Sequence, residues 1–162
     1  SSYGKLDEWP KYRGPAEQGV SEAVNVPIEW STEKNIVWKS EIPGRGWSSP
    51  LLIDGKIVLT TAMEETVNDL HDLKVLQVDA KTGEILWRER LDGNYFASPV
   101  LIDGKVCIVS REGEVRMLSI TRQKMETLGL SKLEEKTYNT PAVSARRVFF
   151  RTYSSLRCLN SI

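Results

Sequence analysis

From Ile36 onward, apolar and polar residues alternate with a period of two in short runs, and turn-forming pairs break the runs. Ile36 to Ile42 reads as a strand ended by Pro43-Gly44. Ser49 to Ile53 and Lys56 to Thr61 read as a hairpin through Asp54-Gly55, a two-residue turn that requires positive φ. The next pair, Leu73 to Val78 and Glu84 to Leu91, is joined by Asp79-Ala80-Lys81-Thr82-Gly83. There Asp79 caps the turn and Gly83 restarts the strand. Asp103-Gly104 repeats the hairpin chemistry, and Glu114 to Ile120 with Met125 to Leu130 repeats the second pair without a turn glycine. Helix has almost no foothold; Ser131 to Lys136 is at most one turn.

The pattern is a repeat. Ser48-Ser49-Pro50-Leu51-Leu52-Ile53-Asp54-Gly55-Lys56-Ile57-Val58 returns as Ala97-Ser98-Pro99-Val100-Leu101-Ile102-Asp103-Gly104-Lys105-Val106-Cys107. A third copy, Asn139-Thr140-Pro141-Ala142-Val143, has the poorer turn pair Ser144-Ala145. The prolines are 49 and then 42 positions apart, a period of short strands that predicts an all-β fold, a β-propeller of four-stranded antiparallel blades. Blade 1 covers 47–91, blade 2 covers 95–133, and blade 3 covers 138–162 without an outer strand, its third strand being Ser155 to Ile162. Residues 1–35, with Pro10, Pro15 and Pro27, read as an extended arm that packs Trp9 and Trp30 on the body. The half-propeller occupies 36–162.

The outer strand missing from blade 3 has a counterpart at the other end. Ile36 to Ile42 aligns with Ile85 to Leu91, each with a tryptophan in mid-strand, Trp38 and Trp87. Three blades do not close a ring, since propellers use about four to eight. Two chains, each lending its first strand to the other's third blade, give a six-bladed homodimer with closure in trans. The alternative is an excised or internally deleted piece of a longer propeller.

Lys plus Arg and Asp plus Glu number 22 each, so the net charge is zero and nothing points to a nucleic-acid partner. No apolar run is long enough to span a bilayer. Ser1-Ser2-Tyr3-Gly4 does not open a signal peptide, which suits the mature form of an exported protein. Cys107 and Cys158 lie in alternating apolar runs, as small buried hydrophobes or as a disulfide pair. Without CxxC or a Cys/His cluster, a structural zinc site has no basis.

Asp79-Ala80-Lys81-Thr82-Gly83-Glu84-Ile85-Leu86-Trp87 resembles the D-A-x-T-G-x-x-x-W signature of quinoprotein (PQQ-type) β-propellers, a repeat shared by the outer-membrane barrel-assembly scaffold lipoprotein. Trp9-Pro10-Lys11-Tyr12-Arg13-Gly14-Pro15, Gly19-Val20-Ser21 and Gly44-Arg45-Gly46-Trp47-Ser48-Ser49-Pro50 resemble exported PQQ-like propeller proteins of planctomycete type. The resemblance implies a periplasmic or exported location and a docking role for Trp38 and Trp87 on the neighbouring blade. PQQ is suggested by the family name only. The catalytic Asp, the calcium-binding Glu and Asn, and the cysteine pair or tryptophan that flank the cofactor in quinone-dependent members have no counterpart motif here.

Trp47, Phe96 and Tyr138 each precede a repeat proline by three positions, where the chain enters the innermost strand. They read either as blade packing or as an aromatic rim of the channel mouth that takes a peptide or an apolar group. The segment from Met63 to Asp72 reads as a long loop on the same face. It offers Glu64, Glu65, Asn68, Asp69 and Asp72 as oxygen donors beside the single histidine, His71, though not at EF-hand spacing. Arg146, Arg147 and Arg151 form a small basic patch. No G-x-S-x-G elbow or dinucleotide loop occurs. The expectation is a non-enzymatic scaffold with a protein or peptide partner, no catalytic or metal residues and no bound cofactor. The alternatives are a quinone- or metal-dependent oxidoreductase remnant, or a truncated propeller with no evolved activity.

Overall fold

The computed structural model describes residues 8–10, 12, 14, 21, 23, 25–46, 48–64, 71–144 and 147–160. Asp54 and Gly55 take φ of 49° and 69°, and Asp103 and Gly104 take 48° and 70°. That is the double positive φ of a tight hairpin turn. These turns join β1 (Leu51–Ile53) to β2 (Lys56–Glu64) and β5 (Val100–Ile102) to β6 (Lys105–Val109). Adding β3 (His71–Asp79) and β4 (Ile85–Leu91) completes a sheet in the order β1-β2-β3-β4, which is blade 1. Blade 2 repeats it as β5-β6-β7-β8 with β7 (Glu114–Ile120) and β8 (Met125–Lys132). Blade 3 has β9 (Ala142–Ser144), β10 (Arg147–Arg151) and β11 (Leu156–Asn160), with β10 in the middle. All neighbours are antiparallel, and the described residues contain no helix.

Register explains how the blades stack. Residues directly opposed on neighbouring strands share one face of a sheet. In blade 1 the opposed row is Leu51, Val58, Gln77 and Trp87. The same row in blade 2 is Val100, Cys107, Met117 and Gly129, and in blade 3 it is Ala142, Phe149 and Cys158. Both complete blades carry a register shift between the third and fourth strands, at Gln77/Val78 and at Met117/Leu118. Leu51, Val58, Val75 and Leu91 of blade 1 pack with Val106, Ile108 and Leu118 of blade 2 as the larger core. Cys107, Val109 and Val115 of blade 2 pack with Phe150 of blade 3 as a second one. A blade therefore buries its faces only against its neighbours.

Near the inner strands the repeat phrase does a second job. The Ser49 N–H donates to Ser98 Oγ at 3.0 Å, and the Ser98 N–H donates to Thr140 Oγ1 at 2.9 Å. Each of these residues immediately precedes a repeat proline, so one position in each copy links its blade to the next. Backbone bonds at this same end of the blades, where the chain enters each inner strand, add to the tie. Arg111 N–H reaches the Asn94 carbonyl, Thr137 N–H the Arg111 carbonyl, and Tyr153 N–H the Lys136 carbonyl.

Several expectations need correction. Ile36 to Ile42 is not a strand, because no described strand lies beside it to form a ladder; Val37 is 91% exposed. β2 and β3 run on to pair Glu64 with His71, so the expected long loop is two strand ends plus 65–70, which lie outside the described residues. β8 extends to Lys132, past the expected end at Leu130 and into the expected helical turn. Trp30 does not pack on the body but is 68% exposed. Cys158 is exposed, because no described strand covers the outer side of β11; both cysteines are free, Cys107 being buried. In the basic patch Arg147 and Arg151 are exposed strand ends, and Arg146 and Ala145 lie outside the described residues. The arm's Trp9 exchanges two backbone bonds with Leu52, and the Pro10 carbonyl accepts from Leu101 N–H at 2.9 Å. The arm thus covers the inner edges of β1 and β5, which would otherwise be bare strand edges.

Gly129 stands where blade 1 has Trp87, and a Cβ there would meet nothing within 4 Å. Glycine inside a strand costs about 0.5–1 kcal/mol relative to alanine. Gly129→Ala is expected to raise the urea-unfolding free energy by about that amount.

Candidate functional site

The residues that enter the inner strands bring Phe96 and Tyr138 together. Their rings lie 5.5 Å apart at 52°, a tilted aromatic pair, with each side chain about half exposed. Arg111, at the turn between β6 and β7, sets its guanidinium carbon 5.6 Å from the Tyr138 ring centre. Its Nε–H also donates to the Tyr138 hydroxyl at 2.9 Å. The contact with Tyr138 raises the Arg111 pKa further. Glu112 lies 3.9 Å from both Arg111 and Lys136 and balances the charge. The result is an exposed apolar surface of two rings, held by a cation that keeps one ring in place. Trp47, expected to join this rim, lies outside the described residues. His71 is the first residue of β3, opposite Glu64; its side chain, like Glu65, Asn68 and Asp69, lies outside the described residues. Among the described residues no three His, Cys, Asp or Glu side chains cluster as a metal site.

Sequence reasoning missed Glu135. This residue follows β8, and its carboxylate accepts from the Ser154 N–H at 2.7 Å, Thr152 Oγ1 at 2.5 Å and Ser155 Oγ at 3.0 Å. Hydrogen bonds from Ser154 and then Thr152 hold its pKa at about 2, against an ordinary 4.5. Glu135 thus pins the turn between β10 and β11 onto the connection entering blade 3. No sequence pattern could have exposed it, because the partners are 17 to 20 positions away on another strand pair.

Trp87, within β4, and Trp38, in the segment before blade 1, make matching contacts on successive blades. Trp87 Nε1–H donates to the Thr121 carbonyl at 3.0 Å, on the turn between β7 and β8. Trp38 Nε1–H donates to the Ala80 carbonyl at 3.1 Å, on the turn between β3 and β4. The Ser40 hydroxyl donates to the Gly83 carbonyl beside it. Gly83 has φ of 75°, and a Cβ there would lie 2.5 Å from the Trp38 ring, so this turn requires glycine for both conformation and space. Blade 2 offers blade 3 no tryptophan, since Gly129 occupies the position.

Blades stacked through opposed rows, with inner strands linked in series, define a segment of a β-propeller. The structure matches that of a europium-containing methanol dehydrogenase with a TM-score of 0.64 and 15% sequence identity, over 88% of this chain. The chain spans 27% of that enzyme's length. At this identity the likeness shows the β-propeller fold and nothing of the enzyme's activity. No protein-family model matches the chain, and no curated protein sequence matches it.

Removing the Trp87 ring leaves a void between blades 1 and 2 and an unbonded Thr121 carbonyl. Trp87→Ala is expected to cost about 3 kcal/mol in chemical unfolding. Glu135 ionises more readily folded than unfolded, so between pH 4.5 and about 2 the unfolded chain binds the extra proton. Its stabilisation is full above pH 4.5 and disappears as the pH falls to about 2. Melting temperatures across that window are expected to fall less steeply with acid for Glu135→Gln than for the unaltered chain.

Proposed function

We propose that this chain is a non-enzymatic propeller scaffold that forms half of a six-bladed ring and completes it with a second copy of itself. The observation that carries the reading is the inner relay, which is open at both ends. Among the described residues nothing donates to Ser49 Oγ, and nothing accepts from the Thr140 N–H. One is what the other needs. The outer ends are complementary too. Trp38 already makes the outer-strand contact on blade 1, while the segment around it has no ladder partner and β11 has a bare outer edge. Carrying over the blade 1 register sets Trp38 of the second copy opposite Cys158, and its Ile36 opposite Leu159. Ile36 and Leu159 are each 47% exposed in the single chain, as surfaces awaiting a partner are.

In this reading the Phe96–Tyr138 rim, repeated around the ring, receives an apolar side chain of a protein partner. The location outside the cytoplasm follows from the sequence resemblance. No cofactor is assigned.

Sedimentation of the purified chain is expected to give twice the mass of one chain. Leu159→Lys puts a charge on the pairing edge, where the side chain is already half exposed, and is expected to return the folded chain to single mass. An unaltered chain that is folded and sediments as a single copy overturns the ring. Adding PQQ with calcium is expected to leave the melting temperature unchanged; a concentration-dependent rise would point to an oxidoreductase instead.

A further inference from the structure

The inner edge of blade 3 differs from those of blades 1 and 2. Leu52, Leu101 and Val143 hold the same place in their copies, opposite Ile57, Val106 and Val148. Leu52 turns both backbone groups away from β2. Its N–H donates to the Trp9 carbonyl at 3.0 Å, and its carbonyl accepts from the Trp9 N–H at 2.9 Å. Leu101 gives its N–H to the Pro10 carbonyl at 2.9 Å. Val143 stands at the same step of the same hairpin register, so its N–H and carbonyl also leave the sheet at the inner edge. Among the described residues nothing bonds either group. After Pro10 the arm turns back, since a Cβ on Gly14 would lie 2.6 Å from the Trp9 ring. A strand edge with a free donor and a free acceptor is a template for another strand.

We propose that the Val143 edge takes an extended segment of a partner protein by strand addition, with an apolar side chain of that segment on the Phe96–Tyr138 pair. The chain itself shows what such an edge holds, because its own Trp9 and Pro10 fill the two equivalent edges. A second copy has its arm seated on its own β1 and β5, which leaves another protein as the source. A segment placed on Val143 as Trp9 is on Leu52 runs antiparallel and bonds through both backbone groups of one residue. Tyr138 lies five positions before Val143, so a residue five further along the segment reaches the rings, about 17 Å away. Main-chain bonds hold the segment, and the half-exposed rings select a bulky apolar residue at that spacing. This assignment rests on the reading of the rim as the seat of a partner's apolar side chain. It does not require the ring, because the edge and both aromatic residues belong to one chain.

The probe is the peptide Lys-Glu-Trp-Pro-Thr-Val-Thr-Phe-Lys, which repeats Glu8-Trp9-Pro10 and sets a phenylalanine five positions after the tryptophan. It is added to the full chain, and binding is read by protein-observed NMR and amide hydrogen exchange. Exchange at the Val143 amide is expected to slow, with shifts at Phe96 and Tyr138, while the already bonded Leu52 and Leu101 amides change little. The same peptide N-methylated at its tryptophan loses the donor to the Val143 carbonyl and is expected to bind about tenfold more weakly. Alanine in place of the phenylalanine is expected to cost about the same factor. Val143→Pro removes the free N–H without touching the ladder to β10, and should fold while losing binding. No binding at millimolar peptide overturns the proposal, as does equal affinity for the N-methylated peptide, which needs no variant to fold. Shifts confined to Phe96 and Tyr138, with Val143 exchange unchanged, overturn the strand addition and leave the rim reading intact. Val143 protection that is indifferent to the phenylalanine overturns the rim reading and the proposal with it. A Val143 amide already protected in the chain alone also overturns it, since a second copy then fills the edge.

Discussion

A blade of this protein has apolar residues on both faces and cannot be stable alone. Leu51 and Val58 look toward blade 2, and Cys107 and Val109 look toward blade 3. Burial must therefore be supplied by the next blade, and the spacing between blades has to be held along their whole length. The chain does this at three radii. Near the inner strands, the residues before the repeat prolines pass a hydrogen bond from blade to blade. In the middle lie the two cores. At the outside, a tryptophan docks on the neighbouring turn. The short innermost strands depend on this arrangement, since three residues of ladder give little stability on their own.

The interfaces are not equal. Blade 1 meets blade 2 through a large apolar cluster and a docked tryptophan. Blade 2 meets blade 3 through a smaller cluster with glycine at the docking position. Compensation comes from the opposite end of the blade, where Glu135 gathers three donors from the last turn of blade 3. A carboxylate clamp responds to acid in a way an apolar contact does not. Blade 3 is thus attached by a more polar and more pH-dependent set of contacts than blade 1.

Much of this was legible in the chain. The repeat phrase predicted blades, and Asp-Gly predicted the tight turns, because only a few residues tolerate two successive positive φ values. Strand limits were less legible. β2 and β3 continue into residues that read as an acidic loop, because a paired neighbour rescues positions with poor strand propensity. Ile36 to Ile42 failed in the opposite sense: good strand composition is not enough without a ladder to join. Trp30 and Cys158 looked like core residues by type, yet nothing in the described structure lies over them.

Sequence alone determined that the chain would be built from four-stranded units, where each would turn, and that Trp38 and Trp87 occupy matching positions. Those properties reside in local φ preferences, in alternation and in repetition, all of which are written along one line of residues. Tertiary structure alone decided the relay through Ser49, Ser98 and Thr140, the Glu135 clamp and the Arg111–Tyr138 contact. Each joins groups far apart in sequence, and each depends on register and on the spacing of adjacent blades, which exist only once the blades have stacked.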